Sequence, residues 1–335
     1  MNRYAVALSL VGAIALGCGG TEAPSGKQIL WYGPSVHPFF QESRKGVDAF
    51  VRDSGVPVEV SFGQEMSQDN ENQNIEAFAA SGFDGFAIQP CDVSAANGLY
   101  EQLTQAGMIV VGYGTPTLNP TTASMCIGTD VKQAAMDATE ALIQFMGEEG
   151  NILNVLEMVE DPNTVLRKQG IEEVVAKYPN VRIFQEISDM KTIEESTSKI
   201  EDALATNIGE IDGIVTTGYT PTVAAATILS EWHGKEGHAR VRFVGIDTDE
   251  VVLNAIRVGD IDATIAQNPL GMGYLSCLLV SHLLDGWTRR LGYQVIDAGT
   301  VLVTAENVDT FAKDVQTVTD RIHQDIETKY LSPPE

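Results

Sequence analysis

Histidines and cysteines are the side chains of this chain best suited to catalysis or metal binding, and their spacing indicates neither. The five histidines are scattered at positions 37, 233, 238, 282 and 323. There is no Gly-x-Ser-x-Gly nucleophile motif, no Gly-x-Gly-x-x-Gly, no phosphate-binding loop and no Cys/His spacing typical of a zinc site. We therefore predict no enzymatic activity, no cofactor and no metal centre.

Polar and aromatic side chains follow most of the short apolar runs. They occur at 33–40, 89–90, 113–115, 160–163, 217–219, 247 and 267. If the apolar runs are parallel strands, these positions lie beyond the carboxyl ends of the strands, where open α/β sheets bind ligands. His37 is the one histidine at such a position.

The elements that must position these residues alternate between short apolar runs and longer amphipathic ones, the pattern of a parallel sheet covered by helices. Before residue 130 we expect strands over 28–32, 58–62, 85–89 and 109–112, with helices over 39–54, 72–81 and 94–106. The alternation then restarts, with strands over 151–158, 182–186, 212–216, 241–246 and 263–267 and helices over 134–147, 164–178, 192–206, 220–232 and 249–258. The predicted fold is α/β, with two parallel sheets of similar size facing each other across a cleft.

The first eighteen residues have the form of a bacterial lipoprotein signal. Arg3 supplies positive charge, and 4–16 is apolar apart from Ser9, too short a run to span a bilayer. Ala15-Leu16-Gly17-Cys18 fits signal peptidase II, so we expect 1–17 to be removed, Cys18 to carry the lipid and 18–26 to be a flexible tether. The alternative is an ordinary secretory signal with Cys18 incidental. The protein is predicted to act in the periplasm or at the cell surface, touching the membrane only through its anchor.

Composition limits the partners. Of 335 residues, 44% are hydrophobic and 20% charged, which is ordinary for a globular chain long enough for two domains. The 46 acidic against 21 basic residues give a formal charge of −25. Because so acidic a chain repels nucleic acid and anionic headgroups, neither is expected to bind it.

Three cysteines remain besides Cys18. An exported protein can form disulfides, and we predict one between Cys91 and Cys126; the alternative is two buried free thiols. Cys277 lies in the apolar run 274–284 and is expected in a core.

Four short motifs occur in order along the chain: Pro38-Phe39-Phe40 followed by Gly46, Ile88-Gln89-Pro90 with Asp92, Val244-Gly245-Ile246-Asp247, and Ala263-Thr264-Ile265-Ala266-Gln267. With them, 27–305 resembles the type I periplasmic sugar-binding proteins, the ribose-, xylose- and rhamnose-type solute-binding components of ABC importers. The resemblance implies a monomeric clamp of two Rossmann-like lobes that closes on one small ligand and delivers it to an ABC permease.

The same resemblance implies how the chain divides. The N-terminal lobe comprises 27–129 and 268–296, and the C-terminal lobe comprises 130–267 and 297–335. Hinge segments are expected near 129–130, 267–268 and 297. The tail from 311 onward has the spacing of an amphipathic helix and is expected to pack on a lobe.

By position, the resemblance also implies a ligand site. Phe39 and Phe40 match the family's aromatic rings, Asp247 its carboxylate acceptor and Gln267 its hinge amide. The other expected ligand residues are His37, Gln89, Tyr113, Thr115, Asn163, Gln169, Met190 and Tyr219. Rings of this kind stack on sugar faces, while amides and carboxylates bind hydroxyls.

Other interpretations of these residues stay open. The Phe39-Phe40 pair could be a hydrophobic staple at a helix start. Asp247 could cap the helix at 249–258, and Gln267 could be a satisfied amide at a strand end.

The chain departs from ribose binders at three places. Tyr113-Gly114-Thr115 stands where they carry an Asp-Arg pair, Gly218-Tyr219 replaces an Asn-Asp, and Met190 replaces an aromatic residue. Fixed charges are therefore expected to be largely absent from the site, which favours a deoxy sugar, a polyol or another small polar molecule over ribose. The sequence leaves open a sensor that presents its closed form to a membrane receptor instead of a permease.

Overall fold

The computed structural model describes residues 26–335 apart from 208 and 234–237. The predicted signal 1–17, Cys18 and the tether as far as Ser25 lie outside the described residues. Within the described part of the chain, no helix combines the length and the apolar character needed to cross a membrane.

Two six-stranded sheets form the framework. The first contains β1 (Ile29–Gly33), β2 (Val58–Phe62), β3 (Gly85–Ile88), β4 (Ile109–Tyr113), β5 (Met125–Gly128) and β12 (Val295–Asp297), in the order β12-β5-β4-β3-β1-β2. The second contains β6 (Gly150–Val155), β7 (Val181–Ile187), β8 (Gly213–Thr216), β9 (Arg242–Ile246), β10 (Ala263–Ala266) and β13 (Val301–Thr304), in the order β13-β10-β9-β8-β6-β7. All neighbours pair in parallel except β13, which runs antiparallel to β10. The predicted α/β fold with two parallel sheets is confirmed.

Helices cover both faces of each sheet and begin at the strand ends. They are α1 (Pro38–Ser54), α2 (Gln68–Ala80), α3 (Ala96–Gln105), α4 (Val131–Met146), α5 (Pro162–Val175), α6 (Ile193–Thr206), α7 (Tyr219–Trp232), α8 (Glu250–Val258), α9 (Pro269–Leu284) and α10 (Phe311–Asp325). Short polar side chains accept backbone N–H bonds at many of their starts, as Ser67, Asp130, Asp161 and Thr192 do. These caps fix the loops that carry the polar residues between strand and helix.

Helices α1 and α9 pack backbone to backbone. A Cβ atom on Gly46 would lie 1.9 Å from the carbonyl oxygen of Leu270, and one on Gly273 would lie 1.9 Å from that of Ser43. Only glycine permits this approach, because any side chain would force the helices apart. The contact holds the start of α1 beside the start of α9.

The chain passes between the sheets at 129–130, 267–268 and 298–300, since β5 and β12 lie in the first sheet and β10 and β13 in the second. The tail then returns to the first sheet's side. Ile322, Ile326 and Leu331 are buried in the first lobe's core, and β14 (Leu331–Ser332) pairs with β11 (Thr288–Arg289). The assignment of 297–335 to the C-terminal lobe is therefore wrong for residues 322–332. The apolar side chains of this part of the tail pack into the core of the first, N-terminal lobe.

The predicted Cys91–Cys126 disulfide is wrong: both residues, like Cys277, are free thiols. Cys126 lies in β5, in register with Gly112 of β4 and, through it, with Ile88 of β3. Cys91 lies three residues beyond Ile88, so a whole strand separates the two cysteines. Two interstrand spacings already separate Ile88 from Cys126 by about 9.6 Å, more than the roughly 7 Å between Cα atoms that a disulfide can bridge, and Cys91 lies beyond the end of that strand. Cys277 is buried in the first core, as predicted.

Candidate ligand-binding site

A cleft of about 600 Å³ lies between the carboxyl ends of the two sheets. Both lobes line it, and its volume is in the range of small-molecule sites, about 300–1,000 Å³. Nine of the twelve residues that the sequence assigned to a ligand site line this cleft: His37, Phe39, Phe40, Gln89, Thr115, Asn163, Tyr219, Asp247 and Gln267.

Aromatic rings at the start of α1 form the first lobe's wall. Nδ1 of His37 accepts the N–H of Phe39 at 3.2 Å and so caps the helix. The rings of Phe39 and Phe40 meet edge to face with centroids 5.4 Å apart. Phe40 is buried in the first core, whereas Phe39 is half-buried at the cleft. A hydrophobic staple is not formed, because Val36, which precedes the cap, is 73% exposed.

Gln89 enters the cleft from the end of β3. Its Oε1 atom is buried and has no hydrogen-bond partner among the described residues. A Cβ atom on the neighbouring Gly114, whose φ is +72°, would lie 1.9 Å from that oxygen. Glycine at 114 therefore leaves room for the Gln89 side chain at the edge of the cleft.

Asp247 stands on a constrained turn at the end of β9. Its φ of +82° lies in the left-handed region, which costs a non-glycine residue about 1–3 kcal/mol. The turn is held by the Asp247 N–H, which donates to the carbonyl of Ile265 at 2.9 Å, and by the Thr264 hydroxyl, which donates to the Asp247 carbonyl at 2.7 Å. Asp249 caps the following helix by accepting the N–H of Val251, so the interpretation of Asp247 as that cap is wrong.

Gln267 connects Asp247 to Thr129, and both Gln267 and Thr129 lie where the chain crosses between the sheets. Its Nε2 donates to Oδ1 of Asp247 at 2.5 Å, and its Oε1 accepts the hydroxyl of Thr129 at 2.9 Å. The amide is thus both satisfied at a strand end and part of the cleft wall, so the two interpretations of this residue hold together.

A charged cluster completes the second lobe's wall. Arg167 on α5 lines the cleft beside Glu157, Asp247 and Asp161. Burial raises the pKa of Asp247 and of Glu157, and the Arg167 guanidinium opposes that rise in both. Arg167 is 7% exposed, and its Nε has no hydrogen-bond partner among the described residues. The expectation that fixed charges are largely absent from the site is therefore wrong.

Glu157 has a second contact. Its Oε1 accepts the backbone N–H of Thr220 at 3.3 Å, at the start of α7. The capping position of that helix is Gly218, which has no side chain to do so. Since a carboxylate at a helix N-terminus is favourable, α7 stabilises the charge that burial disfavours.

Three of the predicted ligand residues do not line the cleft. Tyr113 is buried under the first sheet, stacked on Trp31 with centroids 5.0 Å apart, and its hydroxyl donates to the Tyr32 carbonyl at 2.9 Å. Met190 is buried in the second core, and Gln169 is exposed on α5. Side chains alternate along a strand, so β4 turns Tyr113 away from the cleft.

Arg167 and Glu157 are the main residues that the sequence analysis missed. Arg167 shares its helix face with Thr164, Ile171 and Val174, all buried, so a charge on the buried stripe of α5 was the available signal. Glu157 was hidden because the predicted strand 151–158 overran the real end at Val155.

Comparison with known proteins agrees with this arrangement. The family described as periplasmic binding protein domain matches residues 30–288. The chain belongs to the periplasmic binding protein family. The resemblance to sugar-binding proteins of ABC importers is thereby confirmed, and the family is one of solute-binding transport proteins.

Two curated relatives of this periplasmic binding protein are binding proteins for five-carbon compounds. The xylitol-binding protein of Mycolicibacterium smegmatis is 23% identical over 269 residues, which cover 78% of this chain and 75% of the relative. The D-apiose import binding protein of Actinobacillus succinogenes is 28% identical over 136 residues, 40% of this chain and 42% of the relative.

Solved structures share the fold. A solute-binding protein from Burkholderia graminis in complex with D-arabinose superposes with a TM-score of 0.74 and 21% identity, covering 85% of this chain and 97% of that one. AraP, an arabinose-binding protein from Geobacillus stearothermophilus, superposes with a TM-score of 0.75 and 23% identity, covering 86% and 99%.

Proposed function

We propose that this protein is the solute-binding component of an ABC importer and that it captures a neutral five-carbon sugar or polyol. The observation that carries the proposal is that the aromatic ring of Phe39 and the Gln89 amide on the first lobe face the hydrogen-bonding wall of Arg167 and Asp247 on the second lobe across one cleft. A ring or polyol chain offers apolar C–H surface to the first wall and hydroxyls to the second. The relatives that bind xylitol and D-apiose support a five-carbon ligand.

The charge of the cleft favours a neutral ligand. Among the described lining residues, Glu42, Glu157, Asp161 and Asp247 are acidic and Arg167 carries the one fixed positive charge. A sugar acid or sugar phosphate would bring a further negative charge into a site where burial already disfavours the carboxylates. Hydroxyls instead donate to those carboxylates and accept from Arg167.

Capture proceeds by closure without covalent chemistry. His37 of the first lobe and Tyr219 of the second approach across the cleft, with ring centroids 6.2 Å apart. A ligand that contacts both walls is bound more tightly by the closed form and shifts the population toward it. The protein works as a monomer, anchored through Cys18 outside the cytoplasm, and presents the closed form to its permease.

Thermal unfolding of the mature chain tests the ligand class. The panel contains xylitol, D-arabinose, D-apiose, D-ribose and myo-inositol, with D-xylonate and D-arabinose 5-phosphate as anionic counterparts. A ligand at a hundredfold excess over its Kd stabilises the fold by about 2.7 kcal/mol. We expect a clear rise in Tm with at least one neutral five-carbon compound and none with the anions. A response to the anions alone would refute the proposal.

A further inference from the structure

The C-terminal tail contacts the cores of both lobes. At its start, Val308 is buried in the second lobe's core and Phe311 packs against that core. At its end, Ile322, Ile326 and Leu331 are buried in the first lobe's core. The residues from 311 to 322 form one helical segment about 16 Å long. The tail is therefore a fourth connection between lobes that the chain already joins three times.

The middle of this helix lies against the hinge. The Thr319 hydroxyl, 2% exposed, accepts a hydrogen bond from Nδ2 of Asn268 at 2.9 Å. The preceding residue, Val318, packs against Gly299. A Cβ atom added to Gly299 would lie 2.4 Å from the Val318 side chain. Both 268 and 299 belong to segments where the chain crosses between lobes.

Asn268 links the tail to the other crossing segments. Its Nδ2 also donates to the Ala298 carbonyl at 2.8 Å, and its Oδ1 accepts the N–H of Gly271 at 2.7 Å at the start of α9. It directly follows Gln267, which lines the cleft. The buried side-chain amide of Asn268 thus connects the tail helix with the crossing segments 267–268 and 298–300.

We propose that the tail helix is a strap over the hinge and that Thr319 is the positioning residue through which it restrains lobe opening. Opening rotates the lobes about 129–130, 267–268 and 298–300. Because a stiff helix is anchored in both cores, the rotation must displace it from one of them or break the Thr319–Asn268 bond. Because these contacts are present in the arrangement in which His37 and Tyr219 approach across the cleft, the strap favours that arrangement before any ligand binds and lowers the cost of capture.

Hydrogen exchange of the ligand-free mature chain tests the strap, so its outcome does not depend on which solute the cleft takes. Thr319→Val removes the hydroxyl with little change of shape, and Thr319→Ser restores it. Thr317→Val is the matched control, since Thr317 is exposed on the same helix and its hydroxyl bonds only within that helix, to Lys313.

We expect Thr319→Val to speed exchange about fivefold, the equilibrium equivalent of one buried hydrogen bond, at Gly271, Asp130 and Gly299. The last two amides both bond to Oδ1 of Asp297 rather than to Thr319 or Asn268, and Asp130 lies in a different crossing segment from the one that packs on the tail, so its exchange reports on the hinge beyond the tail contact. Core amides such as Val111 should be unchanged, which separates the effect from global destabilisation. Thr319→Ser and Thr317→Val should match the wild type. A change confined to Gly271, or an equal change in Thr317→Val, would overturn the strap.

Discussion

The side-chain amide of Gln267 donates to the carboxylate of Asp247 at 2.5 Å, and this bond joins a residue where the chain crosses between the sheets to the half-buried carboxylate of the cleft. The orientation of the amide is fixed from its other end, where Thr129 donates to Oε1. Thr129 and Gln267 belong to two different crossing segments. Two crossing segments therefore hold Asp247 in place in the cleft wall, and we expect the geometry of these segments to affect ligand affinity.

Thr129→Val should weaken ligand binding about fivefold, because the Gln267 amide loses the bond that keeps its N–H₂ toward Asp247. Thr129→Ser should bind as the wild type does. Calorimetric titration with the best ligand of the panel measures the difference. Equal affinities for the valine and serine variants would show that Thr129 does not orient the amide.

Asp247→Asn should lower affinity about tenfold to hundredfold, since a charged hydrogen bond to a ligand hydroxyl contributes about 1.5–3 kcal/mol. The same change should leave the ligand-free protein no less stable at pH 7. Burial raises the pKa of Asp247, so its charge is disfavoured in the folded state. Glu157→Gln should behave alike, because the pKa of Glu157 is raised for the same reason and Gln keeps an oxygen to accept from Thr220.

The pH dependence of stability follows from the sign of these shifts. A carboxyl whose pKa is higher folded than unfolded adds stability that is full below its ordinary value of about 4 and is lost as pH rises through the raised value. The Tm advantage of Asp247→Asn over the wild type should therefore be present at pH 7 and vanish near pH 4. Melting curves of both proteins across this range measure it; an advantage that grows toward low pH would contradict the assignment.

Tyr113→Phe tests whether Tyr113 stabilises the fold or contacts the ligand. The change removes the buried bond to the Tyr32 carbonyl and should cost about 1 kcal/mol of unfolding free energy. Ligand affinity should stay at the wild-type value, because the ring lies under the sheet rather than in the cleft. Denaturant unfolding measures the free energy of unfolding, and titration of the same sample measures the ligand affinity. A loss of affinity without a loss of stability would show that Tyr113 contacts the ligand.

Cys91, Cys126 and Cys277 should all be alkylated without reductant once the chain is unfolded. In the native protein they should react slowly, because burial raises the pKa of Cys91 and of Cys126 to about 12 and that of Cys277 further still. Peptide mapping after alkylation assigns each thiol. A peptide pair joined through Cys91 and Cys126 would show that strand β4 does not keep them apart.

The fold could be predicted from the sequence because it depends on repeated local patterns. A buried parallel strand such as β3 is apolar throughout and is followed by a helix with an apolar stripe, α3, and the repetition of this pattern indicates two covered sheets. The destination of the tail could not be predicted in this way. Ile322 and Ile326 show an apolar face, but which lobe receives it depends on distant contacts in the first core.

Site residues could be predicted where a position just beyond a strand end is enough to bring the side chain to the cleft, as for Gln89, Asp247 and Gln267. Site residues could not be predicted where a shift of one or two positions along a strand or helix decides whether the side chain points into the cleft. Tyr113 at the end of β4 faces the core, and Gln169 lies two positions from the helix face that Arg167 occupies. The free thiols likewise depend on strand order, which composition and compartment do not specify.

The most direct test of the proposed capture site is titration calorimetry of the best neutral five-carbon ligand against wild type, Asp247→Ala and Gln169→Ala. Gln169 is exposed on the same lobe and outside the cleft, so its variant controls for nonspecific effects. We expect Asp247→Ala to lose at least about tenfold in affinity and Gln169→Ala to bind as the wild type does. Unchanged affinity in Asp247→Ala, with both variants folded, would contradict the assignment of this cleft as the ligand site.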